Sequence, residues 1–146
     1  MTTLILATRN IHKVGEIHAI LGSSHRLLTL QDFAGAPNVV EDQPTFARNA
    51  AKKAAELTKW LQRLTGFDFR VPGQNAYALA DDSGLEVDAL NGAPGVHSAR
   101  FAAQDGGSPD TATTPASKNS SDAANNAKLL SLLTDVPLEK RAARFR

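Results

Sequence analysis

ALADDSGLEVDALNGAPGVHSARF, residues 78–101, carries an apolar run directly into two adjacent carboxylates and then into a turn-rich segment. Ala76 to Ala80 reads as a short buried strand that enters Asp81-Asp82-Ser83-Gly84 without an intervening loop. Carboxylates at the C-terminal end of a strand project into the crevice where α/β folds bind ligands. Strand alternation points the two side chains differently, so one can hold a metal or water while the other supports it. Magnesium needs one or two carboxylates when substrate phosphates supply its other ligands. The same four residues also read as an Asp-rich turn whose side chains satisfy backbone geometry. At this stage both readings stand. Leu85 to Val87 reads as a further short strand, and Asn91 to Gly95, with two glycines and a proline, as a turn.

Working outward, the start of the chain repeats the strand-then-polar arrangement. Thr3 to Thr8 is a buried strand, Arg9-Asn10 a tight turn with Asn10 at an N-cap position, and Ile11, Val14, Ile17 and Leu21 one face of a helix that Gly22 stops. Unpaired backbone N–H groups and the helix dipole make such an N-terminus a natural phosphate site, to which Thr8, Asn10 and Lys13 add donors. An ordinary cap with a solvated lysine is the competing reading. Neither a Walker loop nor a Gly-x-Gly-x-x-Gly turn is present.

Leu27 to Leu30 reads as a second strand and Asp32 to Pro44 as loop. Thr45 then caps a helix to about Leu64, with Phe46, Ala50, Ala54, Leu57, Leu61 and Leu64 as its apolar stripe and its lysines and arginines, Lys53 included, mostly elsewhere. Glu41-Asp42, just before that helix, either complement its dipole or add to a metal site. Gln104 to Ser120 is rich in Ser, Thr, Pro, Gly and Asp and reads as a mobile loop. Asp122 starts a helix to about Thr134 whose leucines 129, 130, 132 and 133 face inward or toward a partner, and Arg141 to Arg146 alternates as a strand does. Strands interleaved with helices over residues 1–146, with no clear linker, predict one α/β domain.

Composition excludes several classes. Sixteen basic against fifteen acidic residues give a net charge of +1, without the basic excess of a nucleic-acid-coating protein. There is no cysteine, so disulfides and thiolate metal sites are ruled out. The four histidines have no ligand spacing, and no Ser-His-Asp set is identifiable. The opening Met1-Thr2-Thr3 does not read as a signal peptide, and no apolar run approaches the ~20 residues of a membrane span. Cytoplasm is the expected location.

Together these stretches resemble the inosine triphosphate pyrophosphatase family, the house-cleaning dITP/XTP pyrophosphatases. The resemblance rests on ATRNIHKVGEI at 7–17, VVEDQPTFARNAAKKA at 39–54, residues 78–101, and NNAKLL at 125–130, in family order. It implies a mixed central sheet flanked by helices, a substrate cleft between two lobes, and a cytoplasmic homodimer that hydrolyses ITP, dITP and XTP to monophosphate and pyrophosphate with Mg2+. It implies that Thr8, Arg9, Asn10, Ile11, His12 and Lys13 hold the triphosphate and that Ser83 contacts substrate. Glu41 and Asp82 would bind magnesium, with Asp42 as the fallback for Glu41. Asp82 would also be the proton acceptor for the attacking water, with Asp81 behind it.

Three departures from the family pattern stand out. Residues 63–75 and much of 104–120 look like insertions. The family's base-recognition motifs, Gly-Phe-Gly-Tyr-Asp, a lysine and Ser-His-Arg, have no match within 1–146, so the second lobe is expected to be largely missing and residues 1–146 alone to be nearly inactive and poorly selective for base. A Maf-like pyrophosphatase is the nearest alternative, although its Ser-Pro-Arg-Arg element is replaced here by Thr8-Arg9-Asn10. A non-catalytic nucleotide-binding remnant is the other.

Overall fold

The computed structural model describes residues 2–64, 75–106 and 119–146, and these fold as two compact units. Unit 1 comprises Met1–Glu41 and Ala47–Asp81, and unit 2 comprises Asp42–Phe46 and Asp82–Arg146. The architecture is α/β, as the sequence predicts, with parallel and antiparallel pairing both present in separate sheets.

Unit 1 is built on β1 (Thr2–Leu6), β2 (His25–Thr29) and β3 (Ala76–Leu79), all parallel, in the order β2-β1-β3. Parallel neighbours need long crossovers, supplied here through α1 (Ile11–Leu21) and α2 (Phe46–Leu61). β1 lies between its two partners, and Ile5 and Leu6 at its end are 0% and 1% exposed. Ile5, Ala7, Leu30, Leu57 and Leu61 form the core, with Leu28, Phe33 and Trp60 packed against it. Phe33 meets Trp60 edge-on, with ring centroids 6.0 Å apart, which gives the indole a packing role.

α1 begins and ends where its signals lie. Asn10 caps it, and Gly22 closes it at a φ of 61°, a conformation glycine adopts without a Cβ penalty. Its apolar face is less covered than the periodicity predicts: Val14, Ile17 and Leu21 are half-buried and Ile11 is exposed. β3 also differs from the expected fully buried strand. It sits at one edge of the described sheet, and Tyr77 and Leu79 are 57% and 37% exposed. In α2 the buried positions are Asn49, Lys53, Leu57 and Leu61, four residues apart, so Lys53 joins the inward stripe and not the solvated face.

Unit 2 pairs β4 (Leu85–Val87) with β5 (Ala143–Phe145) in an antiparallel ladder: Leu85 opposite Phe145, Glu86 opposite Arg144, Val87 opposite Ala143. Charges reinforce that register. Arg144 reaches Glu86 and Asp88, and Arg146 Nε lies 3.2 Å from Glu86. The turn after β4 places Asn91 in the left-handed region and leads into a 3-10 segment at Gly95–Arg100. α3 (Asp122–Leu132) is capped by Ser121. Leu133 just beyond it is buried, while Leu130 and Leu132 are 62% and 50% exposed, so the leucine run is split between inside and outside.

Of the expected 104–120 loop, Gln104 to Gly106 belong to a 3-10 segment and 107–118 lie outside the described residues. Residues 65–74 of the 63–75 insertion lie outside them too. Among the described residues, no helix is long and apolar enough to cross a membrane.

Candidate active site

The parallel sheet of unit 1 brings the first and third sequence motifs to one edge. β1 and β3 are direct neighbours with Leu6 opposite Leu79, and Ala7 N–H donates to the Leu79 carbonyl at 2.7 Å, which carries the pairing past the end of β1. Thr8 to Lys13 and Ala80-Asp81 therefore leave the sheet side by side. The chain order runs from β1 out to β2 and then back past β1 to β3, so the crossovers diverge between β1 and β3. That is the position at which α/β sheets collect ligands.

The turn after β1 is organised by short polar bonds. Asn10 N–H donates to Thr8 Oγ1 at 3.1 Å, and Asn10 Oδ1 accepts from His12 N–H at 2.9 Å and Lys13 N–H at 3.4 Å. Asn10 is thus a cap in the full sense, and two of the helix's free donors already have an acceptor. Thr8 and Lys13 are half-buried; Arg9, Asn10, Ile11 and His12 are exposed. Arg9 donates to the Ala36 carbonyl at 2.9 Å and so ties the turn to the loop after β2.

Lys13 Nζ lies 2.5 Å from Asp81 Oδ2, the contact that joins the helix motif to the carboxylate motif. The ammonium side chain is 23% exposed and the carboxylate side chain 45%, so the pair is shielded on one side and solvated on the other. A second pair ties the acidic motif to α2: Lys53 Nζ meets Glu41 Oε1 at 2.7 Å, and Lys52 Nζ donates to the Val40 carbonyl at 2.8 Å. Sequence reasoning missed Lys53. The four-residue spacing Asn49, Lys53, Leu57, Leu61 was the available signal, because side chains four apart share a helix face.

Asp82 and Ser83, both half-buried, belong to unit 2 and precede a tightly held backbone. Gly84 exchanges both of its backbone bonds with Arg146, N–H to carbonyl at 3.1 Å and carbonyl from N–H at 2.9 Å. Ser98 Oγ accepts from Leu85 N–H at 2.9 Å and donates to the Gly95 carbonyl at 2.6 Å. A Cβ on Gly84 would lie 2.5 Å from the Gly95 carbonyl oxygen and 2.6 Å from Ser98 Oγ, so only glycine fits. Asp42, also in unit 2, accepts from the Gln43 side chain at 2.7 Å.

The acidic residues offer hard oxygen donors, and no group of three or more His, Asp or Glu that would cage an ion is found among the described residues. That donor chemistry fits magnesium, which keeps several waters and takes one or two carboxylates plus substrate phosphates. In unit 2, His97 has a pKa lowered from the usual 6.5, first by partial desolvation of its ring and second by the Arg100 charge.

The match to known proteins is broad. The dITP/XTP pyrophosphatase of Geobacter sulfurreducens is 48% identical over a 147-residue alignment covering 100% of this chain and 60% of that protein. That of Desulforamulus reducens is 46% identical over 98% of this chain and 58% of its own length. Among solved structures, a HAM1 protein from Coxiella burnetii superposes with a TM-score of 0.69 at 32% identity, covering 99% of this chain and 60% of that one. This chain therefore spans about three-fifths of the length of the curated relatives it matches. The profile of the Ham1 family matches residues 4–146, nearly the whole chain, and on that match the chain belongs to the Ham1 family.

Proposed function

We propose that the protein hydrolyses non-standard purine nucleoside triphosphates, ITP, dITP and XTP, to the monophosphate and pyrophosphate, clearing them from the nucleotide pool. The observation that carries this reading is the meeting of Lys13 and Asp81 at the paired ends of β1 and β3. A capped helix start, a lysine and a carboxylate run at a strand-order reversal is the arrangement a magnesium-bound polyphosphate needs. The names borne by the relatives supply the substrate class.

In this reading Thr8, Arg9, Asn10, Ile11, His12 and Lys13 cradle the triphosphate through hydroxyl, amide, guanidinium, backbone and ammonium donors. Asp81 keeps Lys13 at the strand edge, so its charge is already placed when the phosphates arrive. Asp82 accepts the proton of a water attacking in line at the α-phosphorus, and Ser83 holds a substrate oxygen. Lys13 and the helix N-terminus stabilise charge on the departing pyrophosphate. Magnesium, held by Glu41 and Asp82 with phosphate oxygens, would neutralise charge and orient the leaving group. Glu41 is paired with Lys53, which holds the carboxylate in place. A cytoplasmic homodimer is part of the same proposal.

The test follows pyrophosphate release from ITP, dITP, XTP, ATP and GTP with magnesium. Stoichiometric pyrophosphate and monophosphate support the chemistry, and inorganic phosphate with a diphosphate product refutes it. Preference for the three non-standard purines is expected at the length of the relatives and weak in residues 1–146 alone. Discrimination needs buried groups that pair with the base edge. Equal turnover of all five at the relatives' length refutes the substrate class.

A further inference from the structure

The Asp82-Ser83 segment would need a fixed backbone to place a base and a substrate contact, and the bonds that fix it come from far along the chain. We propose that Ser98 is a positioning residue for the hydrolytic centre, acting through the Leu85 amide on the Asp82-Ser83-Gly84 backbone; this rests on the functional reading above.

Ser98 has one hydroxyl proton and uses it on the Gly95 carbonyl at 2.6 Å, which leaves its lone pairs for Leu85 N–H at 2.9 Å. After a change to alanine, Leu85 N–H would lose this acceptor in a half-buried place. Gly84 is locked on one side by Arg146 and packed on the other against Ser98 Oγ, the Gly95 carbonyl and the Phe46 ring. The two residues after Ser83 are therefore pinned by β5 and by Ser98.

The Ser98 segment is itself held from α3. Asn125, 9% exposed, accepts from Ala102 N–H at 2.9 Å and donates to the Ala99 carbonyl at 3.3 Å. Lys128 donates to the Phe101 carbonyl at 2.7 Å and lies 4.3 Å from the centroid of that ring. A continuous set of bonds thus runs from α3 through residues 98–102 to the backbone beside Asp82. Freeing the Leu85 amide lets that backbone drift, and small misplacements of reacting groups reduce turnover more than binding.

The experiment compares wild type, S98A and S98T for pyrophosphate release from dITP with magnesium, and reads amide hydrogen exchange at Leu85 in each. The expected result for S98A is a kcat lowered about tenfold with KM nearly unchanged, and faster exchange confined to residues near Leu85. S98T keeps the hydroxyl and is expected to recover kcat and Leu85 protection together. Unchanged kcat in folded S98A overturns the proposal, and so does a loss of kcat with exchange raised evenly through unit 2, which marks a general structural role. Wild-type protein that releases no pyrophosphate refutes the functional reading, whereas active wild type with an equally active S98A refutes the positioning role alone.

Discussion

Unit 1 ties its backbone together with a three-stranded parallel ladder over Ile5, Leu57 and Leu61, all at or below 1% exposure. Unit 2 has a two-stranded ladder of three residues a side, supplemented by side chains bonded to backbone far along the chain: Ser98 to Leu85, Asn125 to Ala99 and Ala102, Lys128 to Phe101. The first arrangement is stabilised by apolar burial, which tolerates conservative change. The second is stabilised by polar bonds whose partners are costly to leave unpaired. Asp82, the proton acceptor of the proposed reaction, belongs to the second unit, and the helix start proposed to hold phosphate belongs to the first. A rigid apolar scaffold suits charge recognition, and a polar clamp suits fine placement of one backbone stretch.

The sharpest break between the two roles comes from Asp82→Asn. It keeps shape and size but removes the proton acceptor, so turnover is expected to fall by about 10²–10⁴ with the fold intact. Turnover near wild type, measured beside an unchanged circular dichroism spectrum, would move the base to Asp81.

Next in size is a pair of stability changes that set the two units against each other. Leu57→Ala empties a fully buried site in unit 1 and is expected to cost about 2–5 kcal/mol in a denaturant titration. Asn125→Ala in unit 2 orphans Ala102 N–H and the Ala99 carbonyl and is expected to cost about 1–3 kcal/mol. An Asn125 variant as stable as wild type would mean that apolar burial holds unit 2 as well.

The same contrast explains what the sequence makes legible. β1, the Asn10 cap, α1 and its Gly22 stop are encoded by neighbours in the chain, and their boundaries agree closely with those read from pattern. Family resemblance located the candidate residues of the site. The Lys13–Asp81 pair spans 68 positions and depends on which strands are neighbours, which periodicity does not state. Lys53 falls outside the apolar stripe because its head group is charged, yet its stem follows the buried row that Leu57 and Leu61 define. Ser98 gave no signal, since a serine after a turn is ordinary and its partner Leu85 lies thirteen residues earlier. The exposed faces of α1 and β3 are not legible in the sequence because apolar pattern reports what a segment can bury and not what covers it.

The smallest expected effect is a pH dependence of unit 2. The pKa of His97 in the folded chain is below the usual 6.5, so folding favours its neutral form. Its contribution to stability is complete above pH 6.5 and is lost as pH falls through that value toward the lowered folded pKa. His97→Gln is expected to flatten the stability profile over that acid window. An unaltered profile would show that the imidazole titrates alike folded and unfolded.

The central claim, attack of water at the α-phosphorus beside the β1–β3 edge, is tested most directly by hydrolysing dITP with magnesium in water enriched in oxygen-18. Product identity and label position read the chemistry even where turnover is slow. The account predicts dIMP and pyrophosphate in equal amounts, with the heavy oxygen in dIMP and none in pyrophosphate. Label in pyrophosphate, or release of inorganic phosphate in its place, would contradict it.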